Sequence, residues 1–424
     1  MNLEERNRII ELIQQEVIPA IGCTEPISVA LAVAKVKELL GAIPDFIEVQ
    51  LSANVLKNAM GVGIPGTGMY GLPIAVAMGA IAGKSAYGLE VLKDISPELL
   101  EKGKKLILEK KLKVSLKEDT IDKLYIEVKG TYGEHTATSI ISGEHTRFVY
   151  WEKDNQVLFD AGVSTDAALK EDNQPPQLSF DSVCDFAFTT PEDELRFILN
   201  TVAINKAAAS ESLKGTYGHG VAHTLSSGLM GNNVYTHMLA YTAAACDARM
   251  AGAMIPVMSN SGSGNQGITA TLPVSVFAEE TGKSEEQLIR ALTLSHLMTI
   301  YIKQSLGRLS GLCGAVVAAT GSSCGITYLM GGSREQIGYA IKNMIGNITG
   351  MICDGAKPSC ALKVANGVST ATLSAMMAME NKVVTAVEGI ADEDVDKTIL
   401  NLTKIGRVGM LETDRMILEI MTSK

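Results

Sequence analysis

The sequence predicts an α+β protein: a mixed α/β N-terminal domain followed by a larger, glycine-rich, all-helical C-terminal domain. Three observations carry that expectation. Between residues 46 and 160 the hydrophobic period is two, in the β-rich segments FIEVQLS, LYIEVKG, HTATSII and TRFVYWEK. From Pro191 onward almost every segment reads as helix. The chain has 424 residues, 46% of them hydrophobic, which is enough for two cores, since one core rarely grows far beyond about 250–300 residues. The expected division is 1–185 and 186–424, with the polar EDNQPPQ cluster within residues 164–190 as the linker.

Taken in order, residues 3–17 place Leu3, Ile9, Ile10, Leu12, Ile13 and Val17 at helical spacing. Thr24, Glu25 and Pro26 then mark the start of a helix running to about Leu40, so Cys23 stands just before a helix N-terminus. Helices are expected near 74–83 and 94–111, between the first two strand segments. GEHT occurs at 133–136 and again at 143–146, a spacing that fits hairpin turns and not a repeat array.

The second half has an unusual charge distribution. Between Lys214 and Glu279 only Asp247 and Arg249 are charged, while Gly, Ala, Ser and Met abound. Small residues let helices approach closely, and the interruptions GTYGHG, SSGLMGNN and SNSGSGNQG place backbone N–H groups inside an apolar body, as a pocket for a small anion requires. Leu309–Ser333 and Ala251–Ala278 are long enough to span a bilayer, but Ser310, Thr320, Ser322, Ser323 and the run SNSGSGNQG make them buried segments of a soluble protein. Lys+Arg total 37 against Asp+Glu 47, a net charge of −10 that speaks against nucleic acid or an anionic membrane as partner. The start, MNLEERNRIIELIQQEV, has no apolar signal region, so a cytoplasmic protein is expected, and a homodimer is the prior for this size.

Seven cysteines (23, 184, 246, 313, 324, 353 and 360) form no disulfide-scaffold pattern and are expected to be reduced. Cys353 and Cys360 bracket a loop with Gly355 and Pro358, directly before a helix starting near Ala361, and Cys313 sits at a glycine-flanked helix start. Three such thiolates suit soft iron, and would leave one iron of a four-iron cluster open for substrate. Plain packing and a tetrahedral zinc site are the competing readings, the latter lacking close C-x2–4-C pairs. Cys184 and Cys246 read as packing residues.

The segments IGCTEPISVALA (21–32), SGSGNQGI (261–268), LCGAVVAATGSSCG (312–325) and CDGAKPSCALKV (353–364) resemble, in order along nearly the whole chain, those of the L-cysteine desulfidase family of iron–sulfur lyases. The second half alone is similar to the α-region of iron–sulfur L-serine dehydratases, although Cys353-Asp354-Gly355 lacks the proline of their C-D-P loop. The resemblance implies a [4Fe-4S] cluster on Cys313, Cys353 and Cys360, with Cys23 as a further functional cysteine. Cys324 has no counterpart and is either packing or a substitute ligand.

The implied reaction is α,β-elimination from L-cysteine to pyruvate, ammonia and sulfide, with L-serine as the alternative substrate. Cys23, beside a helix N-terminus, would have a depressed pKa and act as base at Cα, or would be the fourth, displaceable cluster ligand. Ser261, Asn265 and Gln266 are the candidates for binding the substrate carboxylate. His145 is a second catalytic candidate, pairing with His135 across a hairpin or projecting into the interdomain cleft. His219 and His223 read as loop or core residues. Two rivals remain: a pyridoxal-phosphate lyase using Lys206, Lys357 or Lys363, and a non-enzymatic amino-acid-binding protein that holds no iron.

Overall fold

In a computed structural model, which describes residues 1–118, 122–162, 175–307 and 310–423, the protein has an α+β architecture. The N-terminal part contains α1 (Leu3–Glu16), β1 (Pro19–Ile21), α2 (Thr24–Leu40), β2 (Phe46–Leu51), α3 (Ala53–Ala59), α4 (Leu72–Ile81) and α5 (Pro97–Leu108). There follow β3 (Leu112–Leu116), β4 (Tyr125–Tyr132), β5 (His135–Ser142), β6 (Phe148–Lys153) and β7 (Gln156–Asp160). These five strands join β2 in one sheet of order β3-β2-β4-β5-β6-β7, in which β2 and β3 run parallel and the other pairs antiparallel. The two GEHT segments lie at the β4–β5 and β5–β6 turns, as their spacing implies, with Gly133 at φ 58° and Gly143 at φ 80°.

Helix α2 has no polar face. Nearly all of it is buried, because it lies across β4 and β5 on one side and against α4 on the other. Two glycines make these crossings possible: a Cβ at Gly130 of β4 would stand 2.5 Å from Val36, and one at Gly79 of α4 would stand 2.6 Å from the Ala30 carbonyl oxygen.

The second half consists of α6 (Phe180–Thr189), α7 (Glu192–Leu195), α8 (Asn200–Lys214), α9 (Val221–Leu225), α10 (Val234–Met250), β8 (Pro256–Met258), α11 (Gly264–Glu280) and α12 (Glu285–Leu306). It continues with α13 (Gly314–Leu329), α14 (Arg334–Asn347), α15 (Cys360–Met379), α16 (Val395–Lys404) and α17 (Leu411–Thr422). The segment read as a linker to Pro191 already holds α6, opened by a Ser179 capping box. The EDNQ part of its polar cluster lies outside the described residues. Among the described residues no helix is long and apolar enough to cross a membrane.

Helix α13 is the axis of this half, surrounded by α11, α12, α14 and α15. Its sequence GAVVAATGSSCG works there because small residues admit neighbouring backbones. The hydroxyls of Thr320, Thr327, Thr293 and Thr299 are buried, and each donates to the carbonyl one turn back (Thr320 to Val316 at 3.1 Å, Thr299 to Ser295 at 2.8 Å), so these four are not stranded. Cys324 does the same to Thr320 at 3.3 Å.

The two halves share packing. One core cluster joins α2, α4 and the sheet to Ala243, Cys246, Cys313, Cys360 and Val364. A second gathers Ile9, Leu12 and Ile13 of α1 with Leu297 and Ile300 of α12. Strand β1 pairs antiparallel with β8, setting Ala20 opposite Val257.

A Cβ at Gly321 would stand 2.3 Å from the Ser295 carbonyl oxygen. Gly321→Ala is therefore expected to destabilise the protein by about 1–3 kcal/mol through overpacking. Gly409→Ala, whose Cβ would meet nothing nearer than Ile405 at 3.8 Å, should leave the unfolding free energy measured in urea within about 0.5 kcal/mol of the parent.

Candidate active site

Four separate chain segments converge on one buried cavity of about 100 Å³ between the halves. Cys23 reaches it from the end of β1, Cys313 from the start of α13, Cys353 from the loop after α14, and Cys360 from the first turn of α15. Local geometry fixes each one. Gly22, at φ 71°, turns the chain from β1 into α2 and leaves Cys23 at the N-cap. Leu312 and Ile352 form an antiparallel bridge, with the Cys313 N–H donating to Met351 (2.7 Å) and the Cys353 N–H to Gly311 (2.8 Å), so these two cysteines are held side by side. Gly355 has φ 89°, and a Cβ there would lie 2.2 Å from the Lys57 carbonyl oxygen. Proline, with φ near −65°, cannot adopt this turn, which explains why the C-D-P pattern is broken.

Among the described residues no three His, Cys, Asp or Glu converge on a point where a single metal ion could sit. Cys313, Cys353 and Cys360 instead stand around a cavity, the arrangement that a polynuclear group with its ligands on different irons requires. Burial, then Cys353 and Cys360, push the Cys313 thiol up to about 12, and burial raises Cys360 as well. Neutral thiols crowded in this way become good ligands once metal displaces their protons. All seven cysteines are free. Cys184 and Cys324 lie in the core around α12, away from the cavity, while Cys246 is buried just behind it, 3.5 Å from Asn265 Oδ1.

The depressed pKa expected for Cys23 is not found. Its thiol is pushed well above the usual range, first by burial and then by Glu25, against a smaller opposing effect of Arg249. The helix dipole is outweighed because the site is dry and the nearest charge is negative. Cys23 Sγ donates to Glu25 Oε2 at 3.0 Å, Thr24 Oγ1 donates to the same oxygen at 3.1 Å, and Asn58 Nδ2 donates to Oε1 at 3.0 Å. Burial raises the Glu25 pKa, but His145, the Cys23 thiol, backbone N–H and Asn58 together hold it below the ordinary carboxylate range. Cys23 is thus a thiol bonded to a buried carboxylate.

His145 lies beside Glu25 in the wall of an adjoining cavity of about 190 Å³ with Glu16 and Glu144; Thr24 and Gly262 belong to both cavities. His135 does not pair with it but bonds Asp154 at the surface, at 2.9 Å. His223 bonds the Gly215 carbonyl at 3.0 Å, in the loop region before α9.

The SGSGNQG loop splits into two. Asn265 lines the thiol cavity with Gly262 and Ser263. Ser261, at φ 48°, donates to Asn260 Oδ1 at 2.8 Å and faces a different depression with Glu16 and Lys303. Gln266 is buried behind the wall, its Nε2 donating to the Asn260 carbonyl at 3.0 Å and its Oε1 packed toward Gly314. Asn260 is in turn fixed by His296, a residue with no signal in its sequence neighbourhood: Asn260 Nδ2 donates to His296 Nδ1 at 3.1 Å, and His296 Nε2 meets Thr271 Oγ1 at 3.0 Å. Thr271 donates to Gly267, so its oxygen accepts from Nε2–H and the tautomer is set. Other unpredicted site residues are Glu25, Asn58 and Arg249. Only Arg249 left a signal, as one of two charges in an uncharged stretch.

Two comparisons place the chain among known proteins. The family model described as "Serine dehydratase alpha chain" matches residues 86–419. Proteins named UPF0597 match over essentially full length: 65% identity in Bacteroides fragilis (100% of both chains), 55% in Porphyromonas gingivalis (100% of both) and 46% in Shewanella halifaxensis (98% of both).

Burial lowers the His296 pKa from 6.5 to about 3. The unfolded chain therefore binds this proton near pH 6.5 while the folded chain does not, so stability is full above pH 6.5 and falls as pH drops toward 3, by about 1.4 kcal/mol per unit. Urea unfolding of His296→Gln at pH 7 and pH 5 should show a shallower loss on acidification than the parent; equal slopes would refute the assignment.

Proposed function

The chain belongs to the serine dehydratase alpha chain family, and from that premise we propose an iron–sulfur-dependent lyase that converts L-cysteine to pyruvate, ammonia and sulfide. The family is one of amino-acid dehydratase and lyase enzymes. The observation that carries the finer reading is the convergence of Cys313, Cys353 and Cys360, with Cys23, on a single buried cavity. The donor set fits a [4Fe-4S] cluster: three soft thiols, brought together by a backbone bridge and a glycine turn, with no carboxylate among them. Bound there, the cluster supplies a Lewis-acid iron for the departing heteroatom.

The chain's own residues handle the proton. Glu25 is the ionised partner of the pair, so Cys23 Sγ takes the substrate's Cα proton as its own thiol proton passes to Glu25 Oε2, 3.0 Å away. The Cα–H electron pair becomes the Cα=Cβ bond, the Cβ–S bond breaks, and sulfide leaves. The resulting aminoacrylate tautomerises and hydrolyses to pyruvate and ammonia. Thr24, Asn58 and His145 keep Glu25 ionised until that step, and His145 stands between it and the adjoining cavity.

L-Serine is the second substrate. The family description supports it, the whole-chain resemblance to cysteine desulfidases supports cysteine, and the two molecules differ by one atom. The pyridoxal reading finds little support: Lys206 pairs with Glu279, and Lys357 and Lys363 with Asp354, outside the SGSGNQG loop. A cytoplasmic setting, where thiols stay reduced, suits such a site.

Anaerobically purified protein should contain about four iron and four acid-labile sulfide per chain, and Cys313→Ala, Cys353→Ala or Cys360→Ala should lose both. Cys23→Ser should keep iron and sulfide while pyruvate formation falls by ~100-fold or more. Iron-free protein after anaerobic reconstitution would overturn the lyase reading, and iron loss in Cys23→Ser would make Cys23 a ligand.

A further inference from the structure

We propose that Arg249 is the carboxylate anchor of this site, so that the cavity accepts small α-amino acids only through a free α-carboxylate. The substrate class rests on the lyase reading; the anchor itself rests on the geometry around the guanidinium. Arg249 is 3% exposed, on the last turn of α10, and lines the thiol cavity. Its Nε donates to the Gly22 carbonyl at 3.1 Å and its Nη1 to Asn265 Oδ1 at 3.0 Å. Both partners are neutral. No carboxylate pairs with it among the described residues, whereas the similarly buried Lys57 has Asp414 at 2.7 Å. A charge removed from water without a counter-ion is strongly unfavourable, and one that lines a cavity is completed by an anion that enters the cavity.

The surroundings are built for this side chain. A Cβ at Gly264 would lie 2.3 Å from Arg249 Nε, so the first residue of α11 must be glycine for the guanidinium to lie where it does. Asn265, one residue on, is a positioning residue: it holds Nη1, while Nη2 has no acceptor among the described residues and is the donor left for a carboxylate. Among the described residues of the cavity wall the other Asp, Glu, Lys or Arg is Glu25, which repels a carboxylate and attracts an ammonium group. The wall thus carries one charge of each sign, as a zwitterion requires. The glycine-rich loop contributes to carboxylate recognition chiefly through this arginine.

The test uses anaerobic, iron-loaded protein and L-alanine, which has no leaving group at Cβ. By calorimetry L-alanine should bind, and L-alanine methyl ester, which lacks the free carboxylate, should bind about 100-fold more weakly. Arg249→Gln should weaken L-alanine by a similar factor and leave both ethylamine binding and iron content unchanged; Arg249→Lys, keeping the charge but not the fork, should fall between. Asn265→Ala should raise KM for the turned-over amino acid with kcat little changed. Equal affinity for L-alanine and its methyl ester would overturn the anchor, without need of any variant that folds poorly. So would unchanged L-alanine binding in Arg249→Gln, or loss of iron from it, which would make Arg249 a support for the cluster. L-Alanine binding without elimination of cysteine or serine would sink the lyase reading and leave the anchor standing.

Discussion

The site depends on a three-residue antiparallel pairing. Strand β1 and strand β8 lie 235 or more positions apart in the chain, and their register, Pro19 with Met258 and Ile21 with Pro256, brings the Gly22–Cys23 turn onto the SGSGNQG loop. The contact is extended beyond the strands: Ser259 N–H donates to Ile18, Ser261 N–H to Glu16, and Arg249 to Gly22. So short a ladder would be unstable alone. It persists because α1, just before it, buries Ile9, Leu12 and Ile13 in the core around α12, which fixes the N-terminal segment at both ends. Cys23 reaches the other three thiols only through this register, and a slip of one residue would turn the wrong face inward.

The uncharged stretch in the second half has a physical role that composition alone does not reveal. Helices α10, α11, α13 and α15 pack closely through small residues, and most of their buried hydroxyls donate to carbonyls of their own helices. The medium around the cavity is therefore one of low polarity. In it the few charges that remain act strongly: burial and Glu25 keep Cys23 protonated against the α2 dipole, and Arg249 faces the cavity with only neutral partners. A lone charge in such a stretch is more informative than a charge on a polar surface, because the fold bears its full desolvation cost.

Much of this was legible in the residues and some was not. The period of two located β2, β4, β5 and β6, and helical spacing located α1, α2, α4 and α5. The period did not single out β3, whose LKVSL is half exposed at the sheet edge, nor β7, exposed along its length at the other edge, nor β1 and β8, which are too short to show a period. The cysteines stood out because thiols with Gly and Pro around them have few structural reasons to gather. Glu25 did not, since an acid in the first turn of a helix is an ordinary terminus signal, and only tertiary burial distinguishes this one. Ser261 and Gln266 are expected, with Asn265, to bind the substrate carboxylate; in the structure both donate to Asn260, and the order they impose is on the loop itself. A hydroxyl or amide in a glycine-rich loop does not reveal from sequence whether it faces the cavity or the scaffold.

The cysteine positions are set by the scaffold independently of any bound group. Cys313 and Cys353 are linked by main-chain hydrogen bonds, and Gly355 is locked against the Lys57 carbonyl. Lys57 is itself anchored by its ion pair to Asp414 at the start of α17, and a Cβ at Gly311 would lie 3.2 Å from the Asp414 carboxylate. The C-terminal helix therefore braces both cysteine segments from behind. In small metal-binding domains the ligands come together only when metal binds, and binding free energy becomes folding free energy. Here the cysteine segments belong to the principal core, so a cluster bound as proposed would have little ordering left to do. What it would have to overcome is electrostatic: the displacement of protons from thiols that burial and mutual proximity hold neutral. Folding and loading of such a site would be separable processes, the first governed by packing and the second by proton release.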